Sequence, residues 1–172
     1  KLQMEEGDII LTPPQHWHDH GHEGKEPVIW MDVLDHPIAV PMDISYVTPG
    51  KMADSYNERP DTGVTFYRNA GLAPYRKPGE EIPDYPLRRF RWSRVREALD
   101  AVADSADRDE AVHLRYIHPE TGGSILKTLD FSARSLRPGE TISMDRCSAN
   151  RVLQVIEGVA DVEINGTNHK CE

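Results

Sequence analysis

Cysteine is scarce in this chain. Cys147 and Cys171 are the only two in 172 residues. They form no C-x-x-C pair, so neither a thiolate metal site nor a disulfide scaffold is indicated, and a reduced, cytoplasmic setting is the expectation. Long hydrophobic runs are missing as well. None approaches the length of a membrane span, and no signal peptide is visible. Positive charge is outweighed, 20 Lys and Arg against 29 Asp and Glu, for a formal charge of −9. Such a balance argues against nucleic acid and against an anionic membrane face as partners. An initiating Met is absent too: the first residue is Lys1, and the chain is expected to begin part-way through a longer protein. What remains is enough for one domain or two small lobes, with a hydrophobic fraction of 38 % that permits a packed core.

Histidine is what the chain has in an unusual arrangement. His16, His18, His20 and His22 crowd the stretch Gly7 to Leu34, with His36 just beyond it. Side chains alternate along an extended segment, so His16, His18 and His20 would share one face. Imidazoles gathered in this way point to a metal or proton-transfer site, set against the plainer reading of surface residues in a polar turn. Geometry limits the first idea. Positions i and i+4 of a strand lie about 13 Å apart and a His–metal bond is about 2 Å long, so a single metal needs ligands from elsewhere.

Around this block the chain reads as extended structure. Asp8 to Thr12 is expected to be a strand ending at Pro13-Pro14, which lack the donors to continue a central ladder. Gln15 to His20 reads as a second extended segment, and Pro27 to Leu34 as a strand apolar on both faces, hence buried. Asp32 would then lie among apolar neighbours. A buried carboxylate is costly unless it is paired, which makes Asp32 either a structural acceptor or part of a site. From Pro37 to about Asp109 prolines recur and strand periodicity fades, the composition of a long connector. One helix is expected in it, about Ser93 to Ala103, with Ser93 as N-cap and Val95, Leu99 and Val102 on one face. The basic cluster Arg88, Arg89, Arg91, Arg94 and Arg96 is expected to be solvated or paired with nearby acids, with attraction of an anionic substrate as the other reading.

Strand character returns at Ala111 to Ile117, about Leu126 to Leu136, Thr141 to Met144, Arg151 to Ile156 and Val159 to Ile164. Asn165-Gly166 is a two-residue hairpin signal of type I′, which would set Ile164 opposite Thr167 and Asp161 opposite Lys170. With no long helix between these strands, a small antiparallel barrel or jelly roll is indicated.

The two ends carry related parts in a different phase. Gly7-Asp8, an apolar strand, a Pro turn and His18 resemble the second motif of a cupin barrel. Arg137-Pro138-Gly139-Glu140, a strand and Gln154-Val155-Ile156-Glu157-Gly158 resemble the first motif of another. More closely, GDIILTPPQHWHDHGHEGKEPVIWMDVLD, WSRVREALDAV and RYIHPETGGSILKTLDF resemble the gentisate 1,2-dioxygenases and their salicylate and 1-hydroxy-2-naphthoate dioxygenase relatives. The resemblance runs over nearly the whole chain.

The resemblance implies an all-β bicupin, each barrel a double-stranded β-helix. Residues 1–45 would end the first barrel, 46–110 would be a partly helical linker and 111–172 would begin the second barrel. It implies a non-haem Fe(II) held by three histidines. His18 maps to one of them, and the other two, an H-x-H pair, are expected upstream of Lys1. His20 would contact the substrate's carboxylate or hydroxyl, and Asp32 would orient the site. The substrates would be a small aromatic acid and O2, with gentisate opened to maleylpyruvate, in a homo-oligomer. Asp145 and Cys147 stand where an active second barrel would carry H-x-H, so that barrel is expected to be structural. His16, His22, His113, His118 and His169 have no counterpart among the ligands. Other readings are a relative acting on another salicylate-like acid, a catalytically inactive cupin that binds a ligand or a structural partner, and a Zn(II) or Mn(II) cupin.

Overall fold

The computed structural model of the chain describes residues 2–14, 16–50, 62–105 and 111–172. Strands, short helices and irregular backbone alternate along it, and three two-stranded antiparallel sheets form among the described residues. In chain order the elements are β1 (Ile9–Ile10), α1 (His36–Ala39), α2 (Gly63–Phe66), β2 (Arg89–Phe90), α3 (Trp92–Ala103), β3 (Val112–Arg115), β4 (Ser132–Ser135), β5 (Ala160–Ile164) and β6 (Thr167–Cys171). Strand β1 pairs with β2, β3 with β4, and β5 with β6. This mix of small sheets and few helices is compatible with a cupin-type β fold. No helix among the described residues is long and apolar enough to cross a membrane.

Helix α3 is the centre of the packing. Leu99 is almost wholly buried and meets Leu11 of the front segment and Val112, Tyr116, Ile125 and Ala133 of the back half in one core. Phe90, next to the helix, meets Tyr116 edge to face at 5.5 Å between ring centres. Val95 packs against this core, while Val102 is 39 % exposed, so the expected apolar face holds for two of its three residues. The expected cap does not hold. The helix begins one residue earlier, with Arg91 in the cap position and no capping bond from its own segment. Asp8 supplies the acceptor instead: its Oδ1 takes the Trp92 backbone N–H at 2.8 Å. A carboxylate at a helix N-terminus fills an orphan donor and adds a favourable charge interaction with the positive end of the helix dipole, which a neutral serine hydroxyl lacks.

The hairpin at Asn165-Gly166 forms as read. Both residues have positive φ, 51° and 79°, and Ile164 faces Thr167 while Asp161 faces Lys170. Three other expected strands are corrected. Pro27 to Leu34, Thr141 to Met144 and Arg151 to Ile156 belong to no sheet among the described residues. Ile29 is 95 % exposed, and Val28, Trp30, Met31, Val33 and Leu34 are exposed with it. Asp32 is likewise exposed rather than buried. A strand is an agreement between neighbours: its ladder donors and both apolar faces need partners, and no described strand lies beside these segments. Gln15, and the stretches 51–61 and 106–110 of the expected linker, lie outside the described residues.

Candidate functional site

The histidine block leaves the core through β1. Leu11 is buried, and its N–H donates to the Arg88 carbonyl at 2.8 Å. Pro13 is buried and Pro14 exposed, and each has its φ restricted by its ring. Beyond them two contacts of the same kind follow. His16 Nδ1 lies 2.9 Å from the Pro14 carbonyl, and His18 Nδ1 lies 3.1 Å from the His16 carbonyl. A carbonyl can only accept, so Nδ1 carries the proton in both rings, and no contact of either Nε2 is seen among the described residues. A histidine that donates Nδ1–H to a backbone carbonyl and offers Nε2 is the arrangement that metal-ligating histidines use.

His20 turns toward the segment that follows. Its ring lies 5.6 Å from that of His18, edge to face, and 5.3 Å from that of Trp30 at an interplanar angle of 31°. Its backbone N–H donates to Asp19 Oδ1 at 2.8 Å. The structure thus brings His18, His20 and Trp30 together, while Asp32 lies two residues beyond Trp30 on an exposed stretch. The donor chemistry fits an Fe(II) in kind, because His18 turns Nδ1 to a carbonyl and so presents Nε2. It does not complete a site: among the described residues no group of three or more His, Cys, Asp or Glu is placed to hold a metal ion. In the back half Asp145 and Cys147 are exposed, and the Cys147 thiol lies 3.6 Å from the Ala149 carbonyl.

Two charge clusters tie distant parts of the chain together. In the first, the Asp8 side chain is 2 % exposed and accepts from Arg89 Nε at 2.6 Å, from the Trp92 N–H and from the Glu5 N–H at 3.1 Å. Arg89 Nη2 lies 3.1 Å from Glu5 Oε1, a charge contact without hydrogen-bond alignment. One turn along, Glu157 accepts from the Trp92 indole N–H at 2.6 Å and from Arg96. These donors, the indole foremost, hold the Glu157 carboxyl below the usual carboxylate range. With Arg94–Glu97 and Arg96–Asp100, the basic cluster is in large part paired with acids, as expected. In the second cluster Arg76 grips Glu120 with Nε at 2.6 Å and Nη2 at 2.8 Å, and the Tyr67 hydroxyl donates to the same carboxylate. Arg76 above all brings Glu120 down to about 2.

His118 has a structural role. It is buried, and its Nε2 donates to the Pro83 carbonyl at 2.9 Å while Nδ1 accepts from the N–H groups of Glu120 and Thr121 at 3.3 Å. It also lines a cavity of about 220 Å³ with Ile82, Tyr85, Ser124 and Lys127. The sequence motifs contained Asp8 and Glu120 but assigned neither a partner. The available signal was a lone acid beside the apolar run Ile9-Ile10-Leu11, which has to find a cation, with an arginine cluster in the same chain.

Comparison with known proteins adds the remaining observation. Over 164 residues the chain is 37 % identical to a gentisate 1,2-dioxygenase from Ralstonia sp, a match that covers 95 % of this chain and 45 % of that protein. It is 32 % identical to a 5-aminosalicylate 1,2-dioxygenase from Comamonas sp, covering 99 % of the chain and 46 % of the relative. A 1-hydroxy-2-naphthoate 1,2-dioxygenase from Nocardioides sp. (strain KP7) is also 32 % identical, at 92 % and 41 %. The chain resembles the gentisate dioxygenase group over almost its whole length. It spans a little under half the length of the gentisate and 5-aminosalicylate dioxygenases. No family model and no solved structure matches it.

Proposed function

We propose that this chain is part of a ring-cleaving dioxygenase that acts on gentisate with Fe(II) and O2 and yields maleylpyruvate, in the catabolism of aromatic compounds. The observation that carries the reading is the likeness, across at least 92 % of the chain, to three dioxygenases whose named substrates are all ring-bearing hydroxy acids. Both oxygen atoms enter the product, so no external reductant is needed. On this reading residues 1–45 close a first cupin barrel, 46–110 connect, and 111–172 open a second barrel of the double-stranded β-helix type, in a cytoplasmic homo-oligomer.

When bound, Fe(II) supplies the redox centre at which the aromatic acid and O2 meet. His18 would hold it through Nε2, its Nδ1 being tied to the His16 carbonyl. The other two ligands would be an H-x-H pair outside this sequence. His20 gives a hydrogen bond to the substrate's carboxylate or hydroxyl, a role suited to an imidazole near neutral pH. Asp32 orients the site through a cation or the substrate itself.

Substrate choice within the group is the second reading, because two of the relatives act on acids other than gentisate. The test is oxygen uptake by the intact protein carrying this chain, loaded anaerobically with Fe(II). Gentisate, 5-aminosalicylate, salicylate and 1-hydroxy-2-naphthoate would be offered side by side. Uptake with gentisate and a maleylpyruvate-like ultraviolet product is the expected result. Uptake with another acid only would move the assignment within the group. Iron binding without uptake on any of them would refute the ring-cleaving reading.

A further inference from the structure

We infer that Asp8 is a positioning residue for the histidine block, acting through the strand β1 that carries the block out of the core; the inference rests on the iron-site reading above. The Asp8 carboxylate is buried and holds donors from three places: the Arg89 side chain, the first N–H of α3 and the Glu5 N–H. The residue before it, Gly7, is pressed between Trp92 and Ile156. β1 therefore cannot slide or rotate relative to α3 without breaking a charged hydrogen bond in the interior.

Beyond that fixed point further restraints occur at described residues. Leu11 is held by its buried side chain and by the Arg88 carbonyl. Pro13 and Pro14 remove backbone freedom. The Pro14 carbonyl then engages the His16 ring, and the His16 carbonyl engages the His18 ring. His16, His18 and His20 are themselves exposed and have no described contact with the core cluster. The direction in which His18 presents Nε2 is consequently inherited from the clamp at Asp8. Glu157 reinforces it from the other side by holding the Trp92 indole and Arg96. The back-half motif thus helps to aim a front-half ligand, with α3 as the rigid piece between them.

The test uses the intact protein with Co(II) as a spectroscopic probe in place of iron. Asp8→Asn keeps the shape of the side chain and removes its charge. Arg89→Lys keeps the Asp8 charge and removes the guanidinium fork, and it serves if Asp8→Asn does not melt cooperatively. A core variant, Val112→Ala, matched for loss of melting temperature, separates positioning from general loosening. The expected result is a loss of Co(II) affinity and an altered ligand-field spectrum in the clamp variants, with neither change in Val112→Ala. Unchanged affinity and spectrum in the clamp variants would overturn the inference, and so would equal changes in Val112→Ala. A wild-type protein that binds no Co(II) would instead overturn the iron-site reading, and the inference with it.

Discussion

Replacing Gly7 by alanine probes the junction on which the front of the chain depends. Gly7 has φ of 79°, and a Cβ built there would lie 2.7 Å from Trp92 Cγ, 2.9 Å from Trp92 Cβ and 2.8 Å from Ile156 Cγ2. Two costs follow. The left-handed backbone costs an L-residue roughly 1–2 kcal/mol. Forcing a methyl group into filled space costs about 1–3 kcal/mol more. Trp92 cannot yield easily, because its backbone N–H is held by Asp8 and its indole N–H by Glu157. The expected loss is the sum, about 2–5 kcal/mol, or roughly 4–20 °C in melting temperature for a protein of this size. Gly79→Ala is the internal control. Its φ is 84° but nothing lies within 4 Å of a Cβ there, so it carries the backbone cost alone. Urea unfolding followed by tryptophan fluorescence reads both variants. A Gly7→Ala loss equal to that of Gly79→Ala, or below about 0.5 kcal/mol, would refute the packing argument.

Glu120→Gln should destabilise the protein by about 1–3 kcal/mol at neutral pH, since it weakens a bidentate charged hydrogen bond; thermal melting checks it. Because Glu120 is held at about 2 against an ordinary 4.5, its contribution is complete above pH 4.5 and fades as pH falls toward 2. The gap between wild type and variant should close over that window, and a constant gap would show that the charge is not responsible. Tyr116 is pushed up to about 12, by burial first and by the Asp8 charge second. Its neutral form supports the fold below pH 10, and that support is lost as pH rises through 12. Absorbance on an alkaline titration should show a late-ionising phenol that is lost in Tyr116→Phe, and an unchanged late phase in the variant would show the assignment to be wrong. In the intact protein His18→Ala should abolish iron retention while His16→Ala keeps it, and equal iron content by elemental analysis would show the mapping to be wrong. Asp32→Asn should cut oxygen uptake with little loss of iron; unchanged uptake would reduce Asp32 to a surface carboxylate.

Local rules made several features legible in the sequence. Asn165-Gly166 specifies a type I′ turn because both residues accept positive φ, and the register of β5 and β6 follows from it. Helix α3 announces itself through its 3.6-residue apolar spacing. The alternating histidines after a double proline mark the candidate site, and the W-H-D-H and H-P-E-T-G-G blocks carried the likeness to the gentisate dioxygenase group. Long-range choices were not legible in this way. That Asp8 rather than Ser93 caps α3, that Arg89 and not another of five arginines meets Asp8, and that Glu120 pairs with Arg76 are decided across separations of 84, 81 and 44 residues. Periodicity cannot reach that far, since charge pairing depends on which segments meet. Pro27 to Leu34 marks the same limit from the other side. Its apolar alternation states a capacity for a buried strand, but a strand exists only where neighbours complete its ladder, and among the described residues none does. Sequence alone determined the Asn165-Gly166 turn and the helix, because those depend on a few adjacent residues. Tertiary structure alone decided which acid holds which cation, because burial makes an unpaired charge too costly to leave.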